Sequence, residues 1–287
     1  MSASSEDAKY NAALDLLRRL DPSKVETNLN NIISLEPELA GDLLSSVDLP
    51  LTIKTDPTAS NREFLCCDYN RDIDSHRSPF SNTYFPELSP DELKESPFPS
   101  DWLRQLEIAY NDSFDIYRDL YYEGGVSSVY LWDLDNESEF AGVVLFKKSL
   151  ESSSQWDSIH VVEVTAAGAD LFNYKVTTTI ILQLDSKKSQ EMTMKMSLAG
   201  NLSRQTERNL AVSNGTDEQV YTSHITNLGT MIEDIESQMR NMLETVYFEK
   251  TRDIFGQTRN SLLSTEKSNR TAQAEVVKGL QSMETNE

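Results

Sequence analysis

The spacing of apolar residues changes along the chain, and each change marks a different kind of structure. Tyr10, Ala13, Leu14, Leu17 and Leu20 fall on one face of a helix that Asp21-Pro22 ends. Val25, Leu29, Ile32 and Ile33 repeat the pattern up to Glu36-Pro37, and Leu39, Leu43 and Leu44 mark a third helix. Joints this short leave neighbouring helices antiparallel, so residues 1–50 are predicted to form a three-helix bundle. Residues 51–100 lose the periodicity and hold Pro57, Pro79, Pro86, Pro90, Pro97 and Pro99. This stretch is predicted to be irregular with very short strands, and its Phe64, Tyr69, Phe80, Tyr84 and Phe85 imply that it is packed down. Helical spacing returns with Trp102, Leu106, Ala109, Tyr110, Phe114, Tyr117 and Leu120, and Gly124-Gly125 stops it.

The period then falls to two. Val126–Asp133, Phe140–Lys148, Trp156–Thr165, Tyr174–Asp185 and Glu191–Arg204 are rich in Val, Ile, Thr and aromatics. The linkers between them are too short for a crossover helix, so consecutive strands are predicted to be antiparallel neighbours in a five-stranded meander. In the third strand Trp156, Ile159, Val161 and Val162 do not alternate cleanly, which implies cover on both faces. After a polar stretch, Ile225, Leu228, Ile232, Ile235, Met239, Met242 and Val246 follow at spacings of 3 and 4, a heptad stripe on a helix over Thr222–Phe255. Two readings stand for that stripe. It lies on the sheet, or Ile225, Leu228, Ile232, Ile235 and Met239 form a subunit seam; one helix can do both. A polar linker, Ser264–Asn269, leads to a last amphipathic segment with Ala272, Val276, Val277 and Leu280 on one side.

The fold class is therefore α+β. Its predicted parts are a helical stalk (1–50), a Pro-rich irregular region (51–100), a helix plus antiparallel sheet with a long covering helix (101–257), and a tail helix (258–287). Composition narrows the function. The 287 residues carry 26 Lys+Arg against 47 Asp+Glu, a net charge of −21, which disfavours binding to a phosphate backbone. The tail balances four basic residues against four Glu, so residues 1–257 hold all of that charge. Cys66 and Cys67 are adjacent and give neither a disulfide framework nor a four-thiolate zinc site. MSASSEDAKY lacks the basic and apolar regions of a signal peptide, and the apolar run Phe140–Phe146 is far shorter than a membrane helix needs. The expectation is a soluble cytosolic or nuclear protein.

No catalytic constellation emerges. Asp68, Asn70 and Asp72 begin like a calcium loop, but Ile73 stands where Gly is required and Pro79 where Glu is required. Gly124-Gly125 precedes a strand and cannot cradle phosphate as a helix-opening turn does. His76, His160 and His224 lie in separate elements without metal-ligand spacing. No cofactor, metal or enzyme activity is expected.

The residues do match a family. LLRRLDP (16–22), LLSSVDLPL (43–51), LCCDYNRDIDSHRSP (65–79), DIYRDLYYEGGVSSVYLWDLD (115–135), FAGVVLFKK (140–148), WDSIHVVEV (156–164) and IEDIESQMRNMLETVYFEKTRDIF (232–255) resemble the β subunit of F-actin capping protein, most of all its fungal form. The likeness runs in order over about residues 10–256 and fades at 150–156, 205–220 and beyond 257; Phe80 stands where many members carry Trp. The resemblance implies a pseudo-symmetric heterodimer with an α subunit of the same fold, the two sheets joining into one. It implies binding at the barbed end of the actin filament, calcium-independently, to block subunit addition and loss, in the cytoplasmic actin cytoskeleton and its cortical patches. It further implies a mobile tail helix that docks on actin through Val276, Val277 and Leu280, and an actin or phosphoinositide contact at Arg240. Phosphoinositides and regulatory proteins are the implied further partners. The alternative is a helical adaptor that turns the stripe at 225–246 to another partner.

Overall fold

In the computed structural model of the chain, residues 5–136, 138–149, 154–185 and 197–245 are described, with 249, 252, 253, 256, 257 and 271 beyond them. The chain divides into two units, Met1–Ile235 and Glu236–Glu287. The first unit is built on the meander: β6 (Val126–Asp133), β7 (Phe140–Ser149), β8 (Gln155–Ala166), β9 (Leu171–Asp185) and β10 (Ser197–Ala211), each antiparallel to the next. Sequence links too short for a crossover helix go with this antiparallel order. Strict alternation sends Val162 and Val164 of β8 to one face and Ile159 and Val161 to the other. Both faces are covered, which is why β8 reads as almost continuously apolar.

The upper face carries the larger core. Helix α5 (Asp101–Tyr121) lays Leu103, Leu106, Tyr110 and Phe114 on Val129, Leu131, Phe140, Val144 and Phe146. Burying each such side chain is worth about 1.5–3 kcal/mol. Ser100 caps α5 by accepting from Leu103 N–H at 3.4 Å, and Asp133 at the end of β6 grips Ser100 through its N–H (2.7 Å) and hydroxyl (2.6 Å). The helix ends where expected, with Gly124 at φ +85°. Helix α6 (Asp217–Leu243) lies beside it over the same face, with Leu228, Met231 and Ile232 in the shared core. Tyr121 Oη donates to Glu233 at 2.6 Å and joins the two helices.

The lower face receives the stalk and the irregular region. Helices α1 (Ser5–Leu17), α2 (Val25–Leu35) and α3 (Ala40–Ser46) pack through Ala13, Leu29, Ile32, Leu39 and Leu43. The joints are 3-10 turns opened by Pro22 and Pro37; Asp21 accepts from both the N–H (3.0 Å) and the hydroxyl (2.7 Å) of Ser23. Leu20 lies beyond α1 and is partly exposed, because the helix ends one turn before the apolar pattern does. Residues 51–100 form two small sheets: β1 (Thr52–Asp56) with β2 (Arg62–Cys66), and β3 (Arg71–Asp72), β4 (Ser75–Arg77) and β5 (Tyr84–Phe85). A 3-10 turn, Asp68–Asn70, and the four-residue α4 (Glu92–Glu95) are the helix there.

Polar side chains replace regular structure in this region. Asp56 is fully buried and accepts from Thr58 N–H (2.9 Å), Ala59 N–H (3.0 Å) and the Ser78 hydroxyl. Burial alone would raise its carboxyl, but the hydroxyls of Ser78 and Thr58 hold it well below the usual carboxylate range. The Arg62 guanidinium sits 3.8 Å over the ring of Phe80, so the aromatic at that position is in use as a cation–π partner. Where the stalk meets the sheet, buried Asp157 of β8 accepts from Leu51 N–H at 2.9 Å and pairs with Lys147 at 2.8 Å.

One strand lies elsewhere than expected. The predicted strand Glu191–Arg204 is Ser197–Ala211 among the described residues, so the first part of the polar stretch Thr206–Gln219 is strand. It pairs in register from Ser197↔Asp185 to Ala211↔Leu171. Leu202, Thr206, Arg208 and Leu210 face the helices half-buried while Ser203, Gln205, Glu207 and Asn209 face solvent, so the strand has too little apolar pattern to announce itself.

Candidate interface: one closed sheet edge and one open edge

A five-stranded sheet has two edges, each presenting a row of backbone N–H and C=O groups. At the β6 edge that row is closed by side chains of α5. Asn111 Oδ1 accepts from Val129 N–H at 2.9 Å, and Asn111 Nδ2 donates to the Val129 carbonyl at 3.0 Å. One turn earlier, Glu107 Oε2 accepts from Leu131 N–H at 2.7 Å. The two side chains occupy the place of a neighbouring strand. Glu107 is completely buried and is balanced by Arg77 in a bidentate pair (2.9 and 2.7 Å) and by Arg104. The Glu107 charge keeps the Arg77 guanidinium protonated against its own burial. Tyr130, whose ring lies 5.6 Å from that guanidinium, donates to the Leu65 carbonyl at 2.7 Å, and Ser128 accepts from Leu65 N–H at 2.9 Å.

The β10 edge is different. β10 pairs with β9 on one side, and among the described residues no strand pairs with it on the other. The 3-10 turn Pro22–Lys24 approaches it from the stalk. Over its 15 residues every second N–H and C=O turns outward, and neither Pro nor a bulge interrupts the row. Arg208 of β10 binds Asp234 of α6 at 2.9 Å, so the edge and the covering helix are tied together.

The residues singled out from sequence fall in three places. Leu228 and Ile232 are fully buried in the chain's own upper core, with Ile225 packed at its margin, and Ile235 and Met239 are buried. Leu228 and Ile232 thus pack on the chain's own sheet, as a covering helix requires. Arg240 lies near the end of α6, its side chain 33% exposed, and donates through Nη2 to Glu236 Oε2 at 2.7 Å. Val276, Val277 and Leu280 lie outside the described residues, as does Val246. A five-stranded sheet implies an exposed edge from sequence alone, but which edge stays open, and the closing residues Glu107 and Asn111, were not picked out. The spacing of Glu107 and Asn111, four apart on the apolar face of a helix, was the available signal.

A second feature lies beneath the sheet. A cleft of about 370 Å³ is lined by Glu26, Asp48, Cys67, Asp68, Tyr69 and His76, with Ile159 of β8 among its apolar residues. Burial pushes the Asp48 carboxyl up, and the charge of Asp68 adds to the effect against a hydrogen bond from Thr179. Burial also lifts the Cys67 thiol and the Tyr69 hydroxyl to about 12, so neither is a nucleophile at neutral pH. His76 is lowered to about 4 by burial and by the cations of Lys54 and Arg71. Tyr69 stacks on Trp132 with centroids 6.2 Å apart. The cleft is an apolar recess with the carboxylates of Glu26, Asp48 and Asp68 in its lining.

Comparison with known proteins agrees with this architecture. The family model "F-actin capping protein, beta subunit" matches residues 10–255. The F-actin-capping protein subunit beta of Saccharomyces cerevisiae is 63% identical over 286 residues, covering 96% of this chain and 99% of that protein. That of Candida glabrata is 62% identical over 278 residues, covering 96% and 100%, and that of Yarrowia lipolytica 54% over 279 residues, covering 96% and 99%. With a family match over most of its length and curated relatives spanned almost end to end, the chain belongs to the F-actin capping protein β subunit family.

Proposed function

We propose that this chain is the β subunit of a heterodimer that caps the barbed end of the actin filament and blocks subunit addition and loss there. It acts by binding, calcium-independently and without catalysis, in the cytoplasmic actin cytoskeleton, including cortical patches. The observation that carries the reading is the asymmetry of the sheet: β6 is sealed by Glu107 and Asn111, whereas β10 offers a long unpaired row of backbone groups. An α subunit of the same fold would add its edge strand at β10 and continue the sheet. The helical-adaptor alternative loses support, because Leu228 and Ile232 of its stripe are occupied by the chain's own core.

Within this reading Arg240 is an actin contact, and Val276, Val277 and Leu280 are the apolar side of a mobile tail that docks on actin. Burying those three side chains would contribute roughly 5 kcal/mol before ordering costs, so the tail acts together with the heterodimer body and not alone. Ile225, half-buried at the margin of the core, is the residue of the stripe proposed to lie closest to the α subunit. Phosphoinositides bind at the same basic position, and regulatory proteins are further partners.

The test is co-expression with a fungal α subunit, size-exclusion chromatography, and elongation from barbed-end seeds. A 1:1 complex that stops elongation, and in which hydrogen exchange of alternate amides along 197–211 slows relative to the isolated chain, is the expected result. A monodisperse β monomer with no affinity for α, or an α complex that leaves these amides unprotected, overturns it.

A further inference from the structure

We propose that Glu236 is a positioning residue for Arg240, a buried carboxylate that fixes the guanidinium in the direction from which it meets an actin carboxylate. The inference rests on the reading of Arg240 as an actin contact. Both residues lie on α6, one turn apart, so their side chains stack along one face. Arg240 Nη2 donates to Glu236 Oε2 at 2.7 Å.

What separates this pair from the exposed short-range pairs is the burial of its carboxylate, a feature it shares with Arg104–Glu107 at 14% and 0%. Arg18 and Asp15 are 75% and 61% exposed at 3.2 Å, and Arg71 and Asp68 are each 47% exposed at 3.7 Å. In such pairs both partners exchange readily with water, and neither holds the other in one geometry. Glu236 is 0% exposed while Arg240 is 33% exposed. The carboxylate has no path to solvent, so its oxygen stays on the guanidinium. A guanidinium is rigid and planar, and fixing one of its nitrogens sets the plane in which the remaining N–H donors point.

Two consequences follow. A prepositioned arginine loses less side-chain freedom on binding, which strengthens the contact once made. The buried negative charge also cancels most of the long-range field of the arginine, so the pair adds little to steering in a chain of net charge −21. The effect therefore belongs to the lifetime of the capped end and not to its rate of formation.

The experiment uses the full-length heterodimer and four variants: Glu236→Gln, Arg240→Met, the double variant, and Arg240→Lys. Association is read from seeded elongation and dissociation from single filaments, each across a range of KCl, with the melting temperature measured alongside. The expected result is about tenfold faster dissociation for Glu236→Gln, association within about twofold, and a double variant no worse than Arg240→Met. Arg240→Lys, which keeps the charge and loses the planar fork, is expected to resemble Arg240→Met. If Arg240→Met weakens capping while Glu236→Gln does not, or if the two losses add, Glu236 does not act through Arg240 and the inference fails. If Arg240→Met changes nothing, the reading of Arg240 as an actin contact fails first and the inference goes with it. Should Glu236→Gln not assemble, Arg240→Lys decides: full capping by that variant shows that preset geometry is not required.

Discussion

Asn111 holds Val129 by both of its backbone groups, accepting its N–H at 2.9 Å and donating to its carbonyl at 3.0 Å. A side-chain amide has the donor and acceptor of a peptide unit, so Asn111 completes the β6 edge as a strand would. The buried charge of Glu107 does the same for Leu131 N–H. A sheet sealed on one side and open on the other adds one strand partner and then stops, whereas two open edges would permit continued growth.

Asn111→Ala leaves the buried N–H and C=O of Val129 without partners, and each such group costs about 1–3 kcal/mol. Glu107→Ala removes the counter-charge from Arg77 and should cost more, about 3–5 kcal/mol. Urea unfolding of the heterodimer should rank Glu107→Ala below Asn111→Ala and both below the parent. Equal midpoints for all three would mean that the β6 edge does not depend on these side chains.

Gly142 of β7 is packed for want of a side chain. A Cβ there would lie 2.4 Å from Leu131 Cδ2 and 2.8 Å from the Tyr130 carbonyl oxygen. Leu131 can turn, but the Tyr130 carbonyl belongs to the paired strand. Gly142→Ala should destabilise by about 1–3 kcal/mol through overpacking, measured as a lower melting temperature with the fold unchanged by circular dichroism.

His224 supplies a pH dependence. It is fully buried among Phe140, Phe172, Tyr174 and Trp102, with ring centroids 5.2–6.4 Å away. Tyr174 Oη accepts from Asn227 at 3.2 Å and shares a hydrogen bond with His224 Nδ1 at 2.7 Å. Burial lowers His224 to about 4 from 6.5. The folded state thus binds fewer protons than the unfolded state between those values, and stability is full above about pH 6.5 and falls as pH drops toward 4. The largest loss from this group is about 3 kcal/mol. His224→Phe should flatten that part of the stability–pH curve measured by chemical denaturation, with His76 left to supply the remaining slope. An unchanged slope in the variant would rule His224 out as its source.

Ile73 sits at the turn between β3 and β4 with φ +52°, in the left-handed region that a β-branched side chain strongly disfavours. Its side chain is exposed, so little packing offsets the strain. Ile73→Gly should raise stability by about 1 kcal/mol, seen as a rise of about 2–4 °C in melting temperature. A fall would mean that the extra freedom of glycine in the unfolded chain outweighs the strain removed.

Local spacing alone determined much of this protein. The three stalk helices, α5 with its glycine stop, β6 to β9 and the stripe of α6 are each dictated by the period of their apolar residues, because a helix or strand buries one face whatever surrounds it. The family was legible for the same reason: long blocks such as 115–135 stand in the chain in order. What only the tertiary structure decided are relations between distant residues. β10 was displaced in the sequence reading because an edge strand has one half-buried face and needs little apolar pattern, so its position follows from pairing with Leu171–Asp185 rather than from its own residues. Glu107 and Asn111 acquire their role only because β6 lies beside them. Leu228 and Ile232 could have faced a partner or the sheet, and periodicity cannot distinguish the two. In the folded chain the sheet fills the space in front of them, since apolar surface is buried by the covalently tethered face that reaches it.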